Sequence, residues 1–247
     1  MSTTSVVSAF RVLEEVARMQ PVGLSELARA VELPKSTVQR CLLTLHDIGW
    51  LRPTNTQPTR WKLTYRAFSV GTQAADQDTF RDTALPFLSD LQLATTETIH
   101  LTVPDGDELI LIERLDTPHQ LRAFLPLGTR IPLHASATGL AFLAASSDEF
   151  VESYGATALL ARTPNTITDP DVLHSTVEKI RRQGYSVNEQ GLSTGITALG
   201  AAILGPRGEP IGSVSVSGPS SRMTPDKFEF FGRAVCEAAQ QVHAALI

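Results

Sequence analysis

The stretch at 33–45, L-P-K-S-T-V-Q-R-C-L-L-T-L, constrains this chain more than any other. Val38, Cys41, Leu42 and Leu45 fall at i, i+3, i+4 and i+7, which gives a helix one apolar face. Pro34 suits the first turn, where its missing N–H removes no helical bond. Lys35, Ser36, Thr37, Gln39 and Arg40 occupy the early, outward part. These side chains can donate to phosphates, and Gln39 and Arg40 can also reach base edges in a major groove. Taken alone, the pattern is better read as a solvated amphipathic helix. Its surroundings reverse that reading. Leu24, Leu27, Ala28 and Val31 make a short apolar-faced helix just upstream, and Glu32-Leu33 leaves a tight turn. Two short helices so spaced, the second polar and basic at its start, predict a helix-turn-helix.

The flanks extend the motif. Val6, Phe10, Leu13 and Ala17 form a stripe that predicts a first helix over about 5–19, broken by Pro21 and Gly23. Gly49 sits where a helix C-terminus favours glycine. Trp50-Leu51 and 60–63 read as short strands, with Pro53, Asn55 and Pro58 between them. A hairpin after a helix-turn-helix is a wing, and Arg52, Arg60 and Lys62 place cations on it to meet a DNA backbone or minor groove.

A net charge of −5 opposes a polyanion partner until the chain is divided. Residues 1–75 hold nine Lys/Arg against five Asp/Glu, a net of +4, and the remainder holds 12 against 21, a net of −9. The asymmetry confines double-stranded DNA to the N-terminal part. With 247 residues there is room for two domains: 1–64 for DNA, a helical linker at 65–77, and a second domain at 78–247. No run of eighteen apolar residues is present, so no membrane span is expected. The opening M-S-T-T-S lacks a basic region before an apolar core, which predicts no secretory leader. Cys41 and Cys236 read as reduced core residues of a cytoplasmic protein. They have no metal-ligand spacing.

Beyond the polar joint at 72–79, a helix is expected from about Thr79 to Leu93. The period then changes. The alternation at 98–103 is a strand, Asp105-Gly106-Asp107 a hairpin turn, and 108–115 the returning strand. Residues 120–126 read as a third strand. The small residues from His134 lead into an apolar helix, and 172–182 is another, stopped by Gly184. Strands follow at 185–188, 196–204 and 211–217, with a last helix from Thr224-Pro225. Antiparallel strands flanked by helices predict an α+β sensor domain.

In order along the chain, several segments resemble the IclR family of bacterial transcription regulators. They are L-P-K-S-T-V-Q-R at 33–40, A-L-P-F-L-S-D-L at 84–91, E-T-I-H-L at 97–101, G-D-E-L-I-L-I-E-R at 106–114, P-L-H-A-S-A-T-G at 132–139 and S-V-S-G-P at 215–219. The resemblance implies a winged helix-turn-helix, a helical linker and a GAF-like effector domain, assembled as a homodimer or a dimer of dimers. It places the effector among Ile131, Ala137, Thr138, Asn188, Gly195, Ile196, Ala198, Ser215 and Ser217. This chain departs from many relatives at Leu140, where they carry Lys, and at Gly200 and Ala202, where Ala and Pro are usual. Ala198 stands where some relatives have Cys. The changes at 198, 200 and 202 are expected to enlarge the pocket or leave it more apolar.

The residues themselves agree in part. A helix starting near Ser136 offers free N–H groups to an anion. Ser213, Ser215 and Ser217 share one strand face, with Val214 and Val216 on the other. Such a hydroxyl row either meets a polar ligand or bonds water and backbone. With no Lys or Arg among the expected lining residues, a small carboxylic acid fits better than a phosphorylated compound. His134, beside a helix start, reads as a hydrogen-bonded structural residue rather than a base, and His100 alternates with Ile99 and Leu101. No carboxylate pair, G-x-S-x-G, H-E-x-x-H or phosphate loop occurs, which argues against an enzyme, a cofactor or a metal. Two function classes follow: a ligand-responsive DNA-binding regulator, read as the repressor of a catabolic operon, and a metabolite-binding or metabolic protein whose first helices only dimerise.

Overall fold

The computed structural model describes residues 3–75 and 79–247, and the chain divides into two compact units, Met1–Asp78 and Thr79–Ile247. The expected joint overlaps 76–78, which lies outside the described residues.

In the first unit, α1 (Thr4–Met19), α2 (Leu24–Ala30) and α3 (Lys35–Asp47) bury Val12, Val16, Leu27, Val38, Leu42 and Leu45 in a common core. Glu26 closes α2, its carboxylate accepting the Gly23 N–H at 3.1 Å. Pro34 precedes α3, and its carbonyl accepts the N–H groups of Thr37 and Val38. Gly49, at φ +80, ends the helix in the left-handed region that costs a Cβ-bearing residue energy. The wing strands β2 (Leu51–Pro53) and β3 (Arg60–Leu63) pair antiparallel, and β1 (Val22–Gly23) adds to β3 in the order β1-β3-β2. Helix α4 (Tyr65–Ala75) follows, tied back by Arg66, whose Nη1 donates to the Ile48 carbonyl at 2.7 Å.

The second unit is built on an antiparallel sheet in the order β6-β5-β4-β9-β8-β7. Its strands are β4 (Thr98–Asp105), β5 (Glu108–Leu115), β6 (Arg130–Pro132), β7 (Ser186–Glu189), β8 (Ile196–Leu204) and β9 (Pro210–Pro219). Helices α5 (Thr79–Thr95) and α9 (Phe228–Leu246) cover one face, over Ile99, Leu101, Leu199, Ile203, Val214 and Val216. Helices α6 (Ala137–Ala145), α7 (Asp148–Gly155) and α8 (Pro170–Gln183) form the layer on the other face, in a core with Leu109, Leu111 and Ile131.

One expected strand does not form. Residues 120–126 have no ladder partner. Their alternate carbonyls are held by side chains instead: Leu121 O by Arg222 at 3.0 Å, Ala123 O by Thr98 Oγ1 at 3.3 Å and Leu125 O by Arg114 at 2.5 Å. Alternation marks an extended chain, and whether a ladder forms depends on which donors lie alongside. Three of the strands and helices escaped the sequence reading: the two-residue β1, the three-residue β6, and α7, capped by Ser147 Oγ accepting the Phe150 N–H. Cys41 is buried as expected, whereas Cys236 is only half-buried and its thiol donates to the Gly184 carbonyl.

Candidate DNA-reading helix and effector cavity

On α3 the apolar face is spent on the core, which leaves Lys35, Ser36, Gln39 and Arg40 exposed and Thr37 half-buried. Leu43 is exposed one turn beyond Gln39 and Arg40. On the wing, Arg52 and Lys62 are register partners across the β2–β3 ladder. Directly opposed like charges destabilise a sheet. Among the described residues none of Lys35, Arg40, Arg52 and Lys62 enters an ion pair, so all four charges are available to phosphates. Arg60 differs. Its guanidinium donates to the Pro21 carbonyl at 2.7 Å and to the Glu26 carboxylate at 3.1 Å, which clasps the wing to α2. The carboxyl of Glu26 is held below its ordinary range, first by the Gly23 N–H and then by Arg60. Arg60 therefore orients the wing, and its charge is already partly answered.

In the second unit the face under α6 is polar and small. The register places Ser217 between Thr98 and Ala198, Ser215 between His100 and Gly200, and Ser213 between Thr102 and Ala202. The reason is close approach. A Cβ at position 200 would stand 2.9 Å from the backbone of Ala137, and one at 139 would stand 2.3 Å from that of Leu133. Glycine at 200 lets the start of α6 lie directly on β8, and glycine at 139 lets the helix pass against the backbone at Leu133, just after β6. Gly200 thus seats the helix; it does not enlarge the pocket as the sequence suggested.

Where α6 begins, a cavity of about 290 Å³ remains. Of the residues that the resemblance assigned to an effector, Ile131, Ala137, Thr138, Asn188, Ile196, Ala198, Ser215 and Ser217 line it. Gly195 does not; it lies in the turn before β8 at φ +79, its carbonyl accepting the Ser220 N–H. Leu140, the other departure, is buried in the core and brings no cation. The sequence reading missed the strap at 122–125, with Arg122, Ala123, Phe124 and Leu125, and also His100, Leu192 and Ser193. Arg122 corrects the expectation of a wall without Lys or Arg. Its Nε lies 3.7 Å from Asp116 and its side chain stays 39% exposed.

The polar atoms around the cavity are distinct in kind. Ser136 caps α6, its Oγ accepting the Gly139 N–H at 3.0 Å. The first-turn amides of Ala137 and Thr138 have no place in the helix ladder. Asn188 Oδ1 accepts the Gly191 N–H at 2.9 Å, which leaves its amide group as a donor. The Ser215 and Ser217 hydroxyls stand 3.4 Å apart, and Ser217 Oγ meets His100 Nδ1 at 3.2 Å. His100 is buried, and its pKa falls to about 4, first through desolvation and then through the Arg114 guanidinium. His134 lies elsewhere, its Nδ1 on the Tyr154 hydroxyl and its Nε2 on the Leu160 carbonyl, a structural arrangement. Among the described residues no group of His, Cys, Asp and Glu is placed to hold a metal ion, and no helix is long and apolar enough to cross a membrane.

Two family models match the chain: the C-terminal region of the bacterial transcriptional regulator IclR over residues 72–244, and the IclR helix-turn-helix domain over 5–54. The chain is 33% identical over 245 residues to the transcriptional repressor IclR of Escherichia coli, covering 98% of this chain and 89% of that one. A regulator structure from Alicyclobacillus acidocaldarius superposes with a TM-score of 0.85 at 26% identity, over 100% of both chains. An IclR homologue from Microbacterium hydrocarbonoxydans, solved in complex with 4-hydroxybenzoate, superposes with a TM-score of 0.80 at 25% identity over 98% of both.

Proposed function

Since the chain belongs to the IclR family of bacterial transcriptional regulators, and its relatives are regulators and not enzymes, we propose a division of labour between its two units. The first unit, with the wing and α3, binds an operator as a two-fold dimer. The second holds a small carboxylic acid that sets operator affinity, and the regulated genes serve breakdown of that acid. The observation that carries the reading is the cavity at the start of α6, where unladdered amides and Arg122 meet apolar walls. A helix N-terminus favours an anion, and one guanidinium suits one carboxylate. The 4-hydroxybenzoate complex of the Microbacterium homologue supports an acid of this size.

Exposed apolar side chains support the dimer. Val6, Val7 and Phe10 on α1 and Tyr65, Phe68 and Val70 on α4 lie open to solvent, Tyr65 at 85%. Paired half-sites require paired recognition helices. Light scattering of the full chain at micromolar concentration, with and without operator, checks this; a monomer on DNA would refute it.

The test of the whole reading is operator binding, by fluorescence anisotropy, in the presence of organic acids, phosphosugars and nucleotides. An acid should shift the apparent affinity by about 5–150-fold, the usual range of coupling between sites. A response confined to phosphorylated compounds would overturn the pocket reading. Ser215→Ala with Ser217→Ala should remove the response and leave DNA binding intact. Arg40→Ala should weaken specific binding by about 1–3 kcal/mol, and Arg52→Ala should lower the salt slope by about one unit. Arg60→Ala should instead act through the wing's attachment.

A further inference from the structure

The carboxylate accounts for only part of the cavity's polar wall. His100 Nδ1 is engaged by Ser217, while Nε2 has no partner among the described residues and is fully enclosed. His100 is 4% exposed and lines the cavity. Buried polar nitrogens are almost always bonded, and one left alone costs free energy. The strands do not supply a partner: of the neighbours of His100 in the sheet, Ser215 on β9 has its hydroxyl against that of Ser217, and Arg114 on β5 is engaged elsewhere. The Arg114 guanidinium is occupied, stacked 4.1 Å from the centre of the Phe124 ring and donating to the Leu125 carbonyl and the Asp116 carboxylate.

From this orphaned nitrogen, and resting on the reading of the cavity as an acid-binding site, we infer that the effector carries a second polar group, a hydroxyl, that bonds His100 Nε2. The ligand class is a hydroxy acid. The state of the imidazole fits. Buried and pushed down to about 4, with Arg114 opposing its protonation more than Asp116 favours it, it is neutral at ordinary pH. A neutral ring offers Nε2 as a donor or an acceptor, according to whether Ser217 takes or gives the proton at Nδ1. A hydroxyl satisfies both tautomers; a carboxylate satisfies one, and would draw a proton onto the ring. His100 is in this way a specificity residue that distinguishes a hydroxylated acid from the plain one. A site built to bond a hydroxyl rejects the analogue lacking it, because the buried partner is left unpaired.

Calorimetry on the full chain tests this with matched pairs: 4-hydroxybenzoate against benzoate, and 3-hydroxybutyrate against butyrate. In one pair or both, the hydroxylated acid should bind at least about tenfold more tightly, the scale of one buried hydrogen bond. His100→Phe should abolish that preference, and His100→Asn, which keeps a donor and an acceptor, should retain part of it. Undiminished operator binding by both variants shows that they fold. The preference should be flat between about pH 6 and 8. Equal binding of both members of each pair, or a preference that survives in His100→Phe, overturns the assignment of His100 alone. Affinity for plain acids that climbs as pH falls and is lost in His100→Phe also overturns it, and places a carboxylate at Nε2. If none of the acids binds the wild-type chain, the acid-site reading itself fails, and this inference with it.

Discussion

On one face of the six-stranded sheet, Ile99, Leu101, Leu199, Val214 and Val216 are wholly buried against α5 and α9. On the other face of the same strands, Thr98, His100, Ser213, Ser215 and Ser217 are buried just as deeply beneath α6 and around the cavity. Burial is equal, and the composition is opposite. The apolar face gains from every methylene removed from water, about 25 cal/mol per Å². The polar face buries groups that must find partners, and small side chains keep room for a helix backbone and a ligand. The lesson is that depth of burial does not identify a core. The face that leaves a donor or acceptor unanswered is the one shaped for something outside the chain.

The comparison breaks most strongly on the apolar side. Leu101→Ala should cost about 2–5 kcal/mol, read by urea unfolding of the full chain, with little change in acid binding by the folded protein. A loss below about 1 kcal/mol would mean that this face is loosely packed. Next comes acid. The ordinary imidazole of an unfolded chain protonates near pH 6.5, whereas folded His100 does so near pH 4. Between those values the unfolded state binds more protons, so stability is full above about pH 6.5 and falls as pH falls toward 4. The whole shift corresponds to about 3 kcal/mol. His100→Asn should flatten that limb above pH 5, where ordinary carboxylates contribute little. Coincident limbs for the two proteins would refute the neutral, buried imidazole. The smallest effect is expected at Ser213, whose buried hydroxyl has no partner among the described residues and does not line the cavity. Ser213→Ala should fall within about 0.5 kcal/mol of zero or stabilise. A loss above about 1 kcal/mol would show that the hydroxyl is answered after all.

Much of this was legible without coordinates. The helix-turn-helix could be read because its signals are local: the apolar stripe of α3, the turn at Glu32, which adopts φ +54, and the glycine at 49. The hydroxyl row of β9 was visible as strict alternation, and its position beside α6 followed from the resemblance. The strand expected at 120–126 was misread because alternation reports an extended backbone and not its neighbours. Arg122 and His100 went unassigned for the same reason, since each gains its role from a strand or strap distant in sequence.

What the sequence determined by itself was therefore most of the elements, the basic first part and acidic remainder, and which residues of each strand share a face. Those follow from periodicities of 3.6 and 2 and from charge, and all are properties of short segments. Tertiary structure alone decided that Arg60 clasps α2 while Arg52 and Lys62 stay free, that Gly200 admits α6 onto the sheet, and that His100 keeps one nitrogen unanswered. Each of these depends on whether a partner lies within about 3 Å, and hydrogen bonds and steric contacts at that range are set by the packing of distant segments.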